Sequence, residues 1–258
     1  MYHRIGANYD ATRRADPYLA RQIARHLSVE PGRRYLDVAC GTGNYSGSLA
    51  GHGGLWVGID ITPIMIGRAR EKTLAVHWAL ARAENLPFAR RSFSGALCVL
   101  TLHHFAELGP IFREIHRVLN RGKLVIFTAD PDQMRGYWLN EYFPEAIRKS
   151  IEQMPTLAQV SEGLRRAGFG SIETEAYEVR HDLKDMFLYS GKHRPELYLD
   201  GGFRSGISTF ASLASPEEMR EGCARLALDI ESGRISEIVD HYKGKSGDYM
   251  FIIGLKNT

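Results

Sequence analysis

The sequence predicts an α/β fold, a doubly wound and mainly parallel sheet of seven strands, and three observations lead there. Short apolar runs recur along the chain, helical patterns separate them, and most of the runs are apolar throughout. Strands separated by helices need crossover connections, and strands apolar on both faces belong to a sheet covered on both sides. At 258 residues there is room for one large α/β domain carrying a sizeable insertion.

The elements follow in order. In "PYLARQIARHLS", Leu19, Ile23 and Leu27 fall at fourfold spacing behind Asp16 as a cap and Pro17 at the first helical position, which predicts an amphipathic helix. Pro31 and Gly32 break the chain, and "RRYLDVA" reads as the first strand. "LWVGID", "LAVHWALA", "GALCVLTL" and "KLVIFTA" read as the next four, with "PIMIGRAREK" and "GPIFREIHRVLN" as helices among them. "LAQVSEGLRRAGFGSIETEAYEV" gives a helix, a glycine stop and a sixth strand, and "DYMFIIGLK" gives the seventh.

Between the last two strands lie roughly 65 residues, far more than an ordinary loop. Within them "SPEEMREGCARLALDIES" joins an N-cap serine, a proline and a helical apolar stripe, so a helical insertion is expected. The expected organisation is a core with an N-terminal cap over 1–181, a lid or substrate insertion over 182–246, and a last core strand over 247–258.

Composition narrows the function. Hydrophobic residues make up 44% and charged residues 24%, as in ordinary soluble proteins, and no run approaches the ~18 apolar residues of a membrane helix. "MYHRIGANYDATRR" has no apolar centre and does not read as a secretory signal, so a cytoplasmic protein without a membrane partner is expected. Cys40, Cys98 and Cys223 are too scattered for a disulfide framework or a zinc site, and no metal is expected. The net charge of +3 comes from dispersed arginines, which argues against a nucleic-acid partner.

The chemistry concentrates in "YLDVACGTGNYS". Gly41 and Gly43 follow a strand and precede a helix, an arrangement that lets a ligand approach bare backbone N–H groups. A dinucleotide loop needs G-x-G-x-x-G, but Gly47 comes one position late, and the G-K-[ST] of a triphosphate loop is absent. An adenosine ligand without phosphates remains. Asp60 ends the second strand about 20 residues further on, where a carboxylate can take both ribose hydroxyls. Asp37 stands beside the loop, able to orient its amides or to answer an ammonium group. His103 and His104 follow the fourth strand at the ligand-binding edge of such sheets, open to substrate contact, packing or capping.

"LDVACGTGNYS", "GIDITPIMIGRARE", "ARAENLPFARRSFSGALCVLTLHHF" and "IFREIHRVLNRGKLVI" together resemble the class I S-adenosylmethionine-dependent methyltransferases, especially their small-molecule branch, over roughly residues 34 to 129. The resemblance implies a Rossmann-like sheet with an antiparallel last strand and S-adenosyl-L-methionine as cofactor. It places Asp37, Gly41 and Gly43 around the methionine portion, Asp60 on the ribose, Ile61 against the adenine, and Ala83 and Glu84 at the adenine edge. Thr101, at the end of the fourth strand, is a further cofactor-binding candidate. Three departures stand out: Arg82 and Ser94 occupy positions where relatives commonly carry Asp, and "NRGKL" is shorter and less glycine-rich than the usual turn before the fifth strand.

A sulfonium is already activated, so catalysis rests mainly on aligning a nucleophile, which can supply about 7–11 kcal/mol. A general base is needed only for a nucleophile that arrives protonated. Tyr9, His104, Asn140 and Tyr177 are the catalytic candidates. Tyr2, Tyr9 and Tyr18 lie in a segment that folds over the cofactor in relatives, and with "YWLNEYFP" they offer π-faces worth roughly 0.5–2 kcal/mol each to a cation. Arg13 and Arg14 are placed to clamp the cofactor carboxylate, Arg14 being the cofactor-binding candidate. The first functional reading is methyl transfer to a small secondary-metabolite or amino-acid-like acceptor. The second makes the cofactor itself the substrate, as in azetidine-2-carboxylate synthases, with Asn140, Tyr177 and the aromatics around Trp138 enclosing the folded methionine chain. The third is a module that holds the cofactor without reacting. A monomer or homodimer is expected.

Overall fold

The computed structural model describes residues 12–242, 244 and 247–257, so Tyr2 and Tyr9 lie outside the described residues. Helix α1 (Pro17–Leu27) starts as its sequence predicts: Asp16 Oδ1 accepts from the Leu19 amide at 2.8 Å, and Leu19, Ile23 and Leu27 are buried. The chain then alternates through β1 (Arg34–Val38), α2 (Asn44–Ala50), β2 (Leu55–Asp60), α3 (Pro63–Lys72), β3 (Val76–Leu80), β4 (Phe93–Val99), α4 (Leu108–Val118) and β5 (Leu119–Thr128). There follow α5 (Pro131–Arg135), α6 (Pro144–Glu152), α7 (Leu157–Ala167), β6 (Ser171–Tyr177), α8 (Gly201–Ser205), α9 (Pro216–Glu231), α10 (Ile235–His241) and β7 (Tyr249–Lys256).

All seven strands form one sheet in the order β3-β2-β1-β4-β5-β7-β6. The first five pair in parallel, and β7 runs antiparallel to β5, with Thr128 opposite Met250 and Gly122 opposite Lys256. The strand order reverses between β1 and β4, the switch point where open α/β sheets hold ligands at the carboxyl ends of their strands. Leu36, Val38, Ile59, Ala96, Leu124 and Ile126 fill the sheet's interior and pack with Phe112 and Ile115 of α4 and Val160 and Leu164 of α7. Burying each large side chain contributes roughly 1.5–3 kcal/mol.

Two strands differ from expectation. The run "GALCVLTL" starts late and stops late against β4, because Leu100 takes a positive φ and Leu102–His104 close a 3-10 turn. "NRGKL" is strand and not turn. The register shifts between Phe93 and Gly95, and a Cβ on Gly122 would lie 2.1 Å from the Ser94 carbonyl oxygen, so only glycine admits that approach.

The chain divides into two compact units. The larger holds Ala15–Thr128, Pro155–Glu175 and the residues from Met250 onward. The other holds the described part of Met1–Arg14 together with Ala129–Met154 and Ala176–Tyr249, so residues 129–154 cluster with the insertion. Its interior is aromatic: Tyr137 stacks on Tyr189 with centroids 3.9 Å apart, and Trp138 meets Tyr198 edge-on at 5.4 Å. Tyr142 donates to Asp229 Oδ2 at 2.8 Å, and Arg13 forks onto Asp185 at 2.6 and 3.1 Å.

Candidate functional site

The carboxyl ends of β1 and β2 build the site within the larger unit. Beyond Asp37 the backbone turns through three left-handed residues, Ala39, Gly41 and Gly43, before α2 begins. Gly43 has φ +72, and a Cβ there would sit 2.1 Å from the Trp78 ring. Gly58 of β2 makes room for the same indole, since its Cβ would lie 2.4 Å away. The glycine loop is therefore packed on Trp78, a contact that no sequence spacing marks. Lys72 Nζ adds bonds to Thr42 Oγ1 at 2.6 Å and Asn44 Oδ1 at 2.7 Å.

Asp60 holds two backbone amides, Gly41 N on Oδ2 at 3.0 Å and Thr62 N on Oδ1 at 2.8 Å. It thereby joins the loop after β1 to the start of α3. Ile61, the next residue, is 55% exposed, an apolar surface directly after a buried carboxylate. Asp37 is buried and accepts a hydrogen bond from Ser46 Oγ, a partner that sequence spacing did not reveal. Burial pushes its carboxyl pKa up to about 7, the Ser46 bond resists that rise, and the nearby Asp60 charge adds to it.

The segment after β3 is fastened from α4. The Arg117 guanidinium donates to the carbonyls of Leu86 at 2.9 Å and Phe88 at 2.7 Å, while Glu114 accepts the Leu86 amide at 2.8 Å. Glu114 and Arg117 pair at 2.7 Å, and the Arg117 bond holds the Glu114 carboxyl below its usual range. This fixes the stretch in which Ala83 is buried and Glu84 faces solvent, with Arg82 3.7 Å from Glu84. Thr101 is buried and its carbonyl accepts from His104 N at 3.0 Å, which brings the His103 and His104 rings within 3.9 Å.

Asp37, Gly41, Gly43, Asp60 and Ile61 thus form one connected group, and Ala81 N reaches the Asp60 carbonyl at 3.0 Å to join the Ala83 segment to it. Arg14, Asn140 and Tyr177 belong to the other unit. Arg14 is exposed and Tyr177 is buried. Asn140 Nδ2 donates to the Met134 and Tyr137 carbonyls at 3.0 and 2.7 Å and so closes the end of α5. No cluster of metal-binding side chains occurs among the described residues. The donor set fits an adenosine bearing an amino acid: a carboxylate and an exposed apolar side chain for a nucleoside, and for a zwitterion a buried carboxylate beside a loop whose Gly41 and Gly43 amides, expected to be bare, are instead bonded to Asp60 and to the Cys40 carbonyl.

Comparison with known proteins agrees. Residues 36–127 match the family described as a methyltransferase domain. An Anabaena variabilis protein described as a methyltransferase of an antibiotic biosynthesis pathway is 30% identical, with a TM-score of 0.85 over 94% of this chain and 98% of that one. A demethylmenaquinone methyltransferase of Chlorobaculum tepidum is 28% identical over 175 residues, 60% of this chain and 72% of that protein. The Haemonchus contortus phosphoethanolamine N-methyltransferase 2 structure with S-adenosyl-L-methionine shares the fold at 20% identity, TM-score 0.61, over 93% of this chain and 53% of that one. The chain belongs to the class I S-adenosylmethionine-dependent methyltransferases. It is a transferase whose cofactor is S-adenosyl-L-methionine.

Proposed function

We propose that this methyltransferase acts on a small secondary-metabolite or amino-acid-like acceptor, and that the insertion of residues 182–246 helps to bind it. The observation carrying this reading is the second compact unit, a folded body with a buried aromatic interior that a bare cofactor site does not need. The Anabaena variabilis relative, described as belonging to antibiotic biosynthesis, supports it along nearly its whole length.

When bound, S-adenosyl-L-methionine supplies a methyl group on a sulfonium that an aligned nucleophile can take. In this reading Asp60 holds the ribose hydroxyls, Ile61 covers one face of the adenine, and Ala83 and Glu84 meet its edge. Thr101 adds a further cofactor contact. Asp37 answers the amino group, and the Gly41–Gly43 loop lines the methionine portion. Arg14 is assigned to the cofactor carboxylate, and Tyr9 to the cofactor and to catalysis. His104 is assigned the acceptor's proton where one must be held, and Asn140 and Tyr177 are assigned to enclosing the acceptor. Alignment provides most of the acceleration, about 7–11 kcal/mol at its upper reach.

The test is mass spectrometry of the purified protein with S-adenosyl-L-methionine, first alone and then with pooled small acceptors. Intact cofactor in the first case, and S-adenosylhomocysteine with a methylated product in the second, are expected. Enzyme-dependent methylthioadenosine together with an azetidine-2-carboxylate mass, in the absence of any acceptor, would overturn methyl transfer in favour of ring closure of the cofactor itself.

A further inference from the structure

The larger unit contains a cavity of about 520 Å³ at the opposite edge of the sheet from the glycine loop, where β1, β4 and β5 begin and β7 ends. That volume lies within the roughly 300–1,000 Å³ typical of small-molecule sites. Four cations line it, Arg33, Arg121, Lys123 and Lys256, against a single carboxylate, Glu30. We propose that this cavity is a second binding site, for a small and multiply charged anion of the phosphate-ester class.

Lys256 carries the argument. The residue is 6% exposed, and its ammonium donates to the carbonyls of His116 at 2.7 Å and Leu119 at 2.8 Å, with no carboxylate paired to it among the described residues. The two carbonyls belong to the C-terminal end of α4, so a helix dipole meets this ammonium but no full counter-charge does, and an anion in the cavity would supply one. Burial, with Arg91 and Arg90 nearby, lowers the pKa of Lys256, the strain that an anion relieves.

Arg121 is the second mark. Its side chain makes no hydrogen bond or ion pair among the described residues, and it is held at φ +42, a left-handed conformation rare outside glycine. Such backbone positions concentrate at ligand sites. Among the described residues Lys123 Nζ bonds only Ser28 Oγ, at 3.0 Å, and Arg33 meets Glu30 loosely at 3.4 Å. Arg121 and Lys123 both come from "NRGKL", the motif that departs from the family's glycine-rich turn and that methyl transfer does not use.

The shape selects the ligand. A nucleic acid is met by cations spread along a face, whereas these converge on one concavity between strand ends. Guanidinium forks and ammonium groups together suit a phosphate group with several charged oxygens.

The test is calorimetric titration of the full chain, saturated with S-adenosylhomocysteine, with inorganic pyrophosphate at physiological salt. Two double variants are compared: R121A/K123A, which empties the cavity's rim, and R165A/R166A, which removes the same charge from the exposed face of α7. One saturable site is expected, unchanged in R165A/R166A and weakened about tenfold or more in R121A/K123A, with S-adenosylhomocysteine affinity equal in all three. Equal weakening in both double variants, or no saturable binding to the parent chain, would overturn the proposal. Tighter binding of a random-sequence DNA oligonucleotide, lost in R121A/K123A, would overturn it too and mark a nucleic-acid surface.

Discussion

The Gly41 amide donates to Asp60 Oδ2 at 3.0 Å, so the carboxylate that ends β2 is tied to the loop that follows β1. Asp60→Ala removes this bond and the one to Thr62 together. Hydrogen bonds to a charged group are worth about 1.5–3 kcal/mol each in binding or stability. The variant is expected to melt at lower temperature and to bind S-adenosylhomocysteine at least tenfold more weakly. Calorimetry on folded protein separates the two effects; an unchanged affinity would leave Asp60 a purely structural cap.

Asp37 gives the site a pH dependence. Its carboxyl titrates near 7 in the folded chain against an ordinary 3.8, so the folded state holds this proton more tightly than the unfolded chain across that window. The stabilising contribution is complete below about pH 4 and fades as the pH climbs to 7. Affinity for a ligand carrying an ammonium group moves the opposite way, rising as the pH passes through about 7, where the folded chain's carboxylate forms. Asp37→Asn keeps an acceptor for Ser46 and should flatten both trends. Urea melts and S-adenosylhomocysteine titrations at about pH 5 and pH 8 check it, and a variant with the parent's pH profile would assign the effect to another group.

Gly43 and Trp78 are expected to be energetically coupled. Gly43→Ala imposes a φ of +72 on a residue with a side chain and drives its Cβ to within 2.1 Å of the indole. A loss of about 2–4 kcal/mol is expected, combining backbone strain with overpacking. In a Trp78→Ala background the steric part disappears and the strain remains. The same glycine substitution should then cost less, a non-additivity that denaturation of the four proteins measures directly.

Arg117→Met tests whether α4 sets the position of the Ala83 segment. It removes bonds to two carbonyls and one carboxylate, with about 2–3 kcal/mol of stability expected to go with them. Residues 82–88 should show faster amide hydrogen exchange, and S-adenosylhomocysteine affinity should fall about fivefold although Arg117 itself is not assigned to the ligand. Faster exchange spread evenly over the larger unit would instead report general destabilisation.

What the sequence made legible was local. Asp16 and Ser215 were readable as caps because capping needs a short polar side chain before an apolar periodic run, and both accept the expected amides. β1, β2, β4 and β7 were readable because both of their faces are buried, whereas β6, mostly exposed, was marked only by the glycine stop before it. Asp37, Gly41, Gly43 and Asp60 stood out as a set by spacing, and hydrogen bonds and a shared loop do join them. Trp78 was not readable as the floor of the loop, because its contact with Gly43 is made across the sheet. Nor was the Asn140 bond to the end of α5, since an asparagine among aromatic residues looks equally like a ligand contact. The clustering of residues 129–154 with the insertion depends on side chains far apart in sequence, such as Tyr142 and Asp229, which no periodicity records.

The place of β7 imposes an order in time. A ribosome delivers this strand last of the seven, yet it lies between β5 and β6. Until residues 249–256 emerge, the growing polypeptide carries an open row of backbone donors and acceptors along β5, and β6 has no sheet to join. A stop codon ahead of Tyr249 would therefore take out an interior slat and strand the one beyond it, which makes those eight residues the latch on which completion of the nascent sheet depends.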